Sequence, residues 1–129
     1  MTGKREVYKC EICGNIIEVL HEGQGQLVCC GVPMIKKEEK ENEEGLNEKH
    51  IPVVEEKENE ILIKMGSIEH PMTKEHYIEW VEIETEKEIL RKEFSPNEKP
   101  EVTFKKPEEK ILKVRAYCNL HGLWTKKLD

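Results

Sequence analysis

"LKVRAYCNLHGLW", residues 112–124, is the stretch on which the reading of this chain turns. Leu112, Val114 and Ala116 alternate with their neighbours in the period-two pattern of a half-buried strand. Carried two residues further, the alternation puts Cys118 on the same inward-facing side, at the strand's end. His121 follows three residues later, so a thiol and an imidazole form a local Cys-x-x-His pair. The other four cysteines lie far upstream, in "YKCEICGN" (8–15) and "LVCCGV" (27–32), and leave Cys118 without an obvious thiol partner.

Working outward, the same period recurs at Ile61, Ile63 and Met65. "HYIEWVEIET" (76–85) is rich in β-branched and aromatic residues, although its spacing would also permit a helical face. Turn signals at "SPNEKP" (95–100) and "KKPEEK" (105–110) punctuate the segments. Residues 48–129 therefore predict an immunoglobulin-like antiparallel β-sandwich of short strands. Upstream, residues 1–35 form a small cysteine-bearing unit, with a strand around Val7–Lys9, then "NIIEVL" (15–20), then "QLVCCGVPM" (26–34). Gly14, Gly23, Gly25 and Gly31 supply its turns. So small a unit cannot hold itself by apolar burial, and a metal on four thiolates would supply the difference. Between the two, "KKEEKENEEGLN" (36–47) shows no apolar pattern before Leu46 and is read as a solvated linker. The expected fold class is all-β.

The bulk numbers exclude several function classes. Charged residues make up 37% of the 129 and hydrophobic ones 36%, which means a modest core under a heavily charged surface. A net charge of −6, with no Lys/Arg cluster clear of acids, argues against nucleic acid as a partner. The apolar runs are far too short to span a membrane, and "MTGKREVYKC" lacks the apolar core of an export signal. A soluble, cytoplasmic protein is expected. In a reducing compartment, five cysteines point to metal ligation before disulfides.

Cys10-x-x-Cys13 presents two thiolates to one ion, and Cys29 with Cys30 supplies two more. Tetrahedral four-sulfur sites suit zinc or iron. A zinc ribbon would normally use a second Cys-x-x-Cys; adjacent ligands open one angle at the metal, which favours iron. Downstream, "KHIP" (49–52) carries His50, and "EHPMTKEHYIEW" (69–80) carries His70 and His76 around a turn. Singly, each histidine is more often an ordinary side chain than a ligand. Together with Cys118 and His121 they offer four imidazoles and one thiolate, more than zinc usually takes but a set that iron accepts.

The ordered set C-x-x-C, C-C, "EKHIPV" (48–53), "GSIEHPMTKEHYIEW" (66–80) and "YCNLHGLW" (117–124) resembles desulfoferrodoxin, the two-iron class of superoxide reductase. The resemblance runs from Val7 to Trp124 with all nine candidate ligands in order. It implies a desulforedoxin-like module with iron on Cys10, Cys13, Cys29 and Cys30 (centre I). It also implies a catalytic iron on His50, His70, His76, His121 and Cys118 (centre II), with one coordination position open. The implied reaction is one-electron reduction of superoxide to hydrogen peroxide. Glu48 and Lys49 match the family's functional carboxylate and lysine: Lys49 as a local cation that focuses the anionic substrate, Glu48 as a cap on the oxidised site. A small electron-donor protein such as rubredoxin and a homodimer are further implications.

Two rivals are a rubredoxin-like electron carrier and a zinc-stapled interaction module. Neither needs four histidines and a second thiolate, nor a lysine beside an open site. Trp80 and Trp124 are expected as core residues beside the site, and Met72 to pack rather than ligate.

Overall fold

Strand β1 (Val7–Lys9) pairs antiparallel with β2 (Ile16–Glu18), Tyr8 lying opposite Ile17. A two-stranded hairpin follows, β3 (Val28–Cys29) and β4 (Val32–Pro33). Cys30 and Gly31 at its tip have φ of 56° and 77°. Positive φ at both turn residues is the mirror-image turn whose twist matches a two-residue hairpin. β5 (Ile35–Lys37) then returns to the free edge of β1. These strands belong to the first of two compact units, Met1–Glu38, and the second begins at Glu39. The computed structural model describes residues 1–128; Asp129, the last residue of the expected sandwich, lies outside them. In the first unit only Val7, Cys10 and Val19 are buried apolar side chains. That is far too little burial to offset the ordering of such a segment, so a cross-link through metal is a structural need.

The second unit opens with a single helical turn, α1 (Asn47–His50), and continues as strands. β6 (Pro52–Glu56), β7 (Glu60–Met65) and β10 (Glu101–Lys105) make a three-stranded sheet in the order β10-β7-β6. β8 (Ile78–Thr85), β9 (Ile89–Glu93), β11 (Ile111–Cys118) and β12 (Gly122–Lys127) make a four-stranded sheet in the order β12-β11-β8-β9. Every pairing is antiparallel. Three strands facing four is the immunoglobulin-like arrangement, and the core lies between the sheets. It is built from Ile61, Ile63 and Met65 of β7, Ile78, Val81 and Ile83 of β8, and Ile111, Val114, Ala116 and Cys118 of β11.

The β7 alternation is as read from the sequence, but β8 and β11 carry register shifts. Between Ile111 and Lys113 the pairing slips, so Ile111 rather than Leu112 joins the core. Between Tyr117 and Cys118 it slips again, since Tyr117 opposes Trp80 while Cys118 opposes Ile78. Glu79 is the extra residue of that bulge, and it puts Ile78 and Val81 on one face although they stand three apart. The helix-like spacing of "HYIEWVEIET" is thus a bulged strand. The same slip sends Trp80 away from the core, where it stacks on Tyr117 at 5.9 Å under the guanidinium groups of Arg91 and Arg115. The expectation of Trp80 as a core residue is corrected accordingly: it is only partly buried and stands outside the core cluster. Met72 packs against the core, as expected, and its sulfur accepts the Ile78 N–H at 3.4 Å.

Within 36–47, Lys36 and Lys37 lie in β5, and the backbone of Lys40 bridges to Trp124 of β12.

Candidate metal centres

Four thiols converge in the first unit. Cys10 stands just after β1 and Cys13 on the turn that follows, whose Gly14 N–H donates to the Cys10 carbonyl at 2.9 Å. The Cys29–Cys30 hairpin brings the second pair opposite, with Cys13 Sγ and Cys29 Sγ 3.5 Å apart and Cys29 Sγ and Cys30 Sγ 3.9 Å apart. The backbone N–H of Cys13 points at Cys10 Sγ from 3.4 Å, and such N–H groups pull the Cys10 thiol down to about 6. Cys30 is pushed up to about 12 by the thiols of Cys13, Cys29 and Cys10. One thiol of the cluster ionises easily and another resists, because negative charge accumulates in a small volume. A cation bound to all four sulfurs removes that resistance.

The second cluster sits at one end of the sandwich. Ligand atoms of His50, His76, Cys118 and His121 lie within 4.8 Å of one another. His70 joins them, its Nε2 only 3.0 Å from Nε2 of His50. The four imidazoles form a closed ring of edge-to-face neighbours. Centroid separations are 4.6 Å for His50–His70, 4.7 Å for His70–His76, 5.1 Å for His76–His121 and 4.8 Å for His121–His50. His50 and His76 face each other across it at 6.3 Å. Cys118 is fully buried at the strand end, and His121 Nδ1 lies 3.8 Å from its sulfur.

The hydrogen-bonding pattern of this ring suits a bound cation. His50 Nδ1 is 2.8 Å from the Leu46 carbonyl, and His70 Nδ1 is 2.6 Å from the Pro71 carbonyl. A carbonyl only accepts, so both Nδ1 atoms carry the proton and both Nε2 atoms are bare acceptors. Two lone pairs therefore point at each other across 3.0 Å. Among the described residues, Nε2 of His76 is buried with no hydrogen-bond partner. Burial holds the imidazoles of His50, His70 and His76 below their ordinary range, His70 at about 4, so they stay neutral and ready to ligate. Burial pushes the Cys118 thiol up, while the backbone N–H groups of His121 and Leu120 favour its thiolate.

Local structure explains how these side chains are aimed. The Asn119 side chain accepts from Tyr77 N–H and donates to the Glu75 carbonyl, each at 3.0 Å, which ties the Cys-x-x-His loop to the His76 loop. Thr73 Oγ1 accepts the His76 N–H at 3.1 Å and closes the turn between the two histidines. Trp124 stacks on His50 at 4.9 Å and its indole N–H donates to the His121 carbonyl at 3.1 Å. This bears out the place expected for Trp124. Glu48 and Lys49 sit exposed on α1, immediately before His50, and the Lys49 charge is felt at His76.

Two residues that sequence reasoning passed over also shape the site. Gly66 has φ of +84°, and a side chain there would meet the Glu48 carbonyl oxygen at 2.4 Å. It lets the chain after β7 press against α1, where Ile68 N–H donates to Glu48 O at 2.9 Å. Lys40 reaches the His121 carbonyl at 3.0 Å. The first had only an unremarked glycine as a signal, and the second had none within a Glu/Lys run.

A small four-thiolate module joined in one chain to a β-sandwich with a four-imidazole, one-thiolate cluster defines a two-centre non-haem metalloprotein. Comparison with known proteins makes this particular: the chain belongs to the desulfoferrodoxin family. The model of the desulfoferrodoxin domain matches residues 42–127, and that of the desulfoferrodoxin N-terminal domain residues 2–36. It is 50% identical to the desulfoferrodoxin of Syntrophotalea carbinolica, over 97% of this chain and 98% of that one. It is 48% identical to a desulfoferrodoxin homolog of Archaeoglobus fulgidus, over 96% of this chain and 98% of that one. The solved superoxide reductase of Treponema pallidum superposes with a TM-score of 0.76 at 34% identity, covering 95% of this chain and 96% of that one. The two side-chain clusters match the family's two iron sites, centre I on four cysteines and centre II on histidines and a cysteine.

Proposed function

We propose that the protein is a superoxide reductase, which converts superoxide to hydrogen peroxide with one electron and two protons and releases no oxygen, in defence against oxidative stress. The observation that carries this reading is the ring of four imidazoles closed around facing nitrogens, with a buried thiol within 4.8 Å of three of them. His50, His70, His76, His121 and Cys118 hold the iron of centre II, and Cys10, Cys13, Cys29 and Cys30 that of centre I. Iron at centre II supplies, when bound, the electron for the reduction.

The chain's own residues do the rest. Cys118 and His50, buried with Trp124 beside them, keep water from the inner side of the site. His76 and His121 are only partly buried, so the ring is reached from their side. Lys49 draws the anion inward against a net charge of −6, and its ammonium orders the water that delivers protons. Glu48, beside it, caps the open side of the site in its oxidised state.

By the same reading, residues 1–35 are the desulforedoxin-like module and 48–129 the catalytic sandwich, with 36–47 joining them. Electrons come from a small redox protein such as rubredoxin, and the protein works as a cytoplasmic homodimer. Exposed Ile12, Leu20, Val28 and Ile35 on the module support self-association. Among the described residues no helix is long and apolar enough to cross a membrane.

The test is metal content of protein purified from iron-replete cells. Close to two irons per chain with little zinc is expected; zinc at both sites would overturn the redox reading.

A further inference from the structure

Lys40, in the segment read as linker, is held in a fixed place. Its N–H donates to the Leu123 carbonyl at 2.8 Å, and its carbonyl accepts from Thr125 N–H at 2.9 Å, so its backbone is laid along the edge of β12. Its neighbours secure the same strip. The Glu39 carboxylate lies 2.9 Å from Lys113 Nζ, and that of Glu41 3.7 Å from Lys127 Nζ. From this anchored backbone the Lys40 ammonium donates to the His121 carbonyl at 3.0 Å and to Glu43 Oε2 at 2.8 Å, lying over the Trp124 ring at 5.6 Å. The Trp124 indole donates to the same His121 carbonyl. Two donors thus converge on the backbone of one centre II residue, and one of them is a full positive charge.

We infer that Lys40 is a positioning residue for centre II: it clamps the loop from Cys118 to His121 and sets a fixed cation beside the iron, biasing that iron toward its ferrous form. The inference rests on the reading of Cys118 and His121 as ligands. A nearby positive charge stabilises whichever oxidation state carries less charge, and that is the ferrous one. Lys40 is 38% exposed and is paired with Glu43, so screening keeps the effect modest. Removing the cation is expected to raise the ferric-to-ferrous ratio at fixed potential about threefold, ~28 mV for a one-electron couple. Glu43 opposes Lys40, so its neutralisation moves the potential the other way.

The experiment is a redox titration of the full-length iron protein, followed at the thiolate-to-iron absorption of centre II, with iron counted in each variant. Lys40→Met should lower the centre II midpoint by about that amount, Lys40→Arg should restore it, and Glu43→Gln should raise it. The differences should shrink in high salt. An iron-replete Lys40→Met protein with an unmoved potential overturns the inference. So do Lys40→Met and Glu43→Gln moving the potential in the same direction, as mere loosening of the loop would. If Lys40→Met does not load iron, Glu43→Gln decides: a raised potential supports the inference and an unmoved or lowered one overturns it. Absence of the thiolate absorption from the unaltered protein would overturn the ligand reading itself, and this inference with it.

Discussion

Gly66→Ala tests whether the close approach between the end of β7 and α1 is as tight as the geometry says. The residue is buried with φ of +84°, and a Cβ there would stand 2.4 Å from Glu48 O, 2.6 Å from Ile68 O and 2.6 Å from Lys49 Cα. All three are backbone atoms, so none can rotate away. Forcing alanine into left-handed backbone costs about 1–2 kcal/mol, and the overpacking about 1–3 kcal/mol more. A loss of about 2–5 kcal/mol is expected. Gly45→Ala isolates the first contribution, since Gly45 has φ of +87° but nothing within 4 Å; it should lose only about 1–2 kcal/mol. Denaturant unfolding followed by tryptophan fluorescence reads these values, because Trp80 and Trp124 both lie in the second unit. Gly66→Ala must also displace the backbone that carries Glu48, Lys49 and His50, so centre II should lose iron while the four-cysteine centre keeps its own. A Gly66→Ala protein as stable as Gly45→Ala, with centre II full, would refute the reasoning.

Four further outcomes are expected. Lys49→Ala should slow the bimolecular reaction with superoxide about tenfold at low ionic strength and flatten its salt dependence; an unchanged rate in stopped flow or pulse radiolysis removes the steering role. Cys118→Ser should abolish the thiolate-to-iron absorption of the oxidised protein, and persistence of that band would show that Cys118 is not a ligand. In chelator-stripped protein, burial holds His50, His70 and His76 below the ordinary histidine value of 6.5, with His70 at about 4. Folded values below unfolded ones mean that the sandwich keeps its full stability above that value and loses it as pH falls from 6.5 toward 4. His70→Gln should soften that fall in the denaturation midpoint. Glu82, fully buried, accepts from Arg115 Nε at 2.7 Å and from Arg91 Nη2 at 2.8 Å, so Glu82→Ala strips a buried guanidinium of its nearest carboxylate. A loss of about 3–5 kcal/mol is expected in denaturant unfolding, and one below about 1 kcal/mol would contradict it.

What the sequence disclosed, and what it hid, follows from how local each signal is. Cysteine and histidine have few other uses in such spacings, so both clusters could be read from residue type and order. The Ile61, Ile63 and Met65 alternation was legible because β7 is regular. Leu112 and Trp80 misled because a bulge reverses which side a residue faces, and nothing in their own neighbourhood marks the extra residue. Gly66 and Lys40 were illegible for a different reason. Each matters through a segment distant in sequence: α1 for the glycine, the His121 carbonyl for the lysine. In the linear chain, Lys40 is one lysine in a Glu/Lys run.

The most direct measurement is product stoichiometry when the fully reduced protein meets a pulse of superoxide under anaerobic conditions. One hydrogen peroxide for each superoxide consumed, one electron withdrawn from centre II and no oxygen evolved is the predicted result. Evolution of one oxygen for every two superoxide consumed would mean dismutation, and would contradict one-way reduction at the ring formed by His50, His70, His76 and His121.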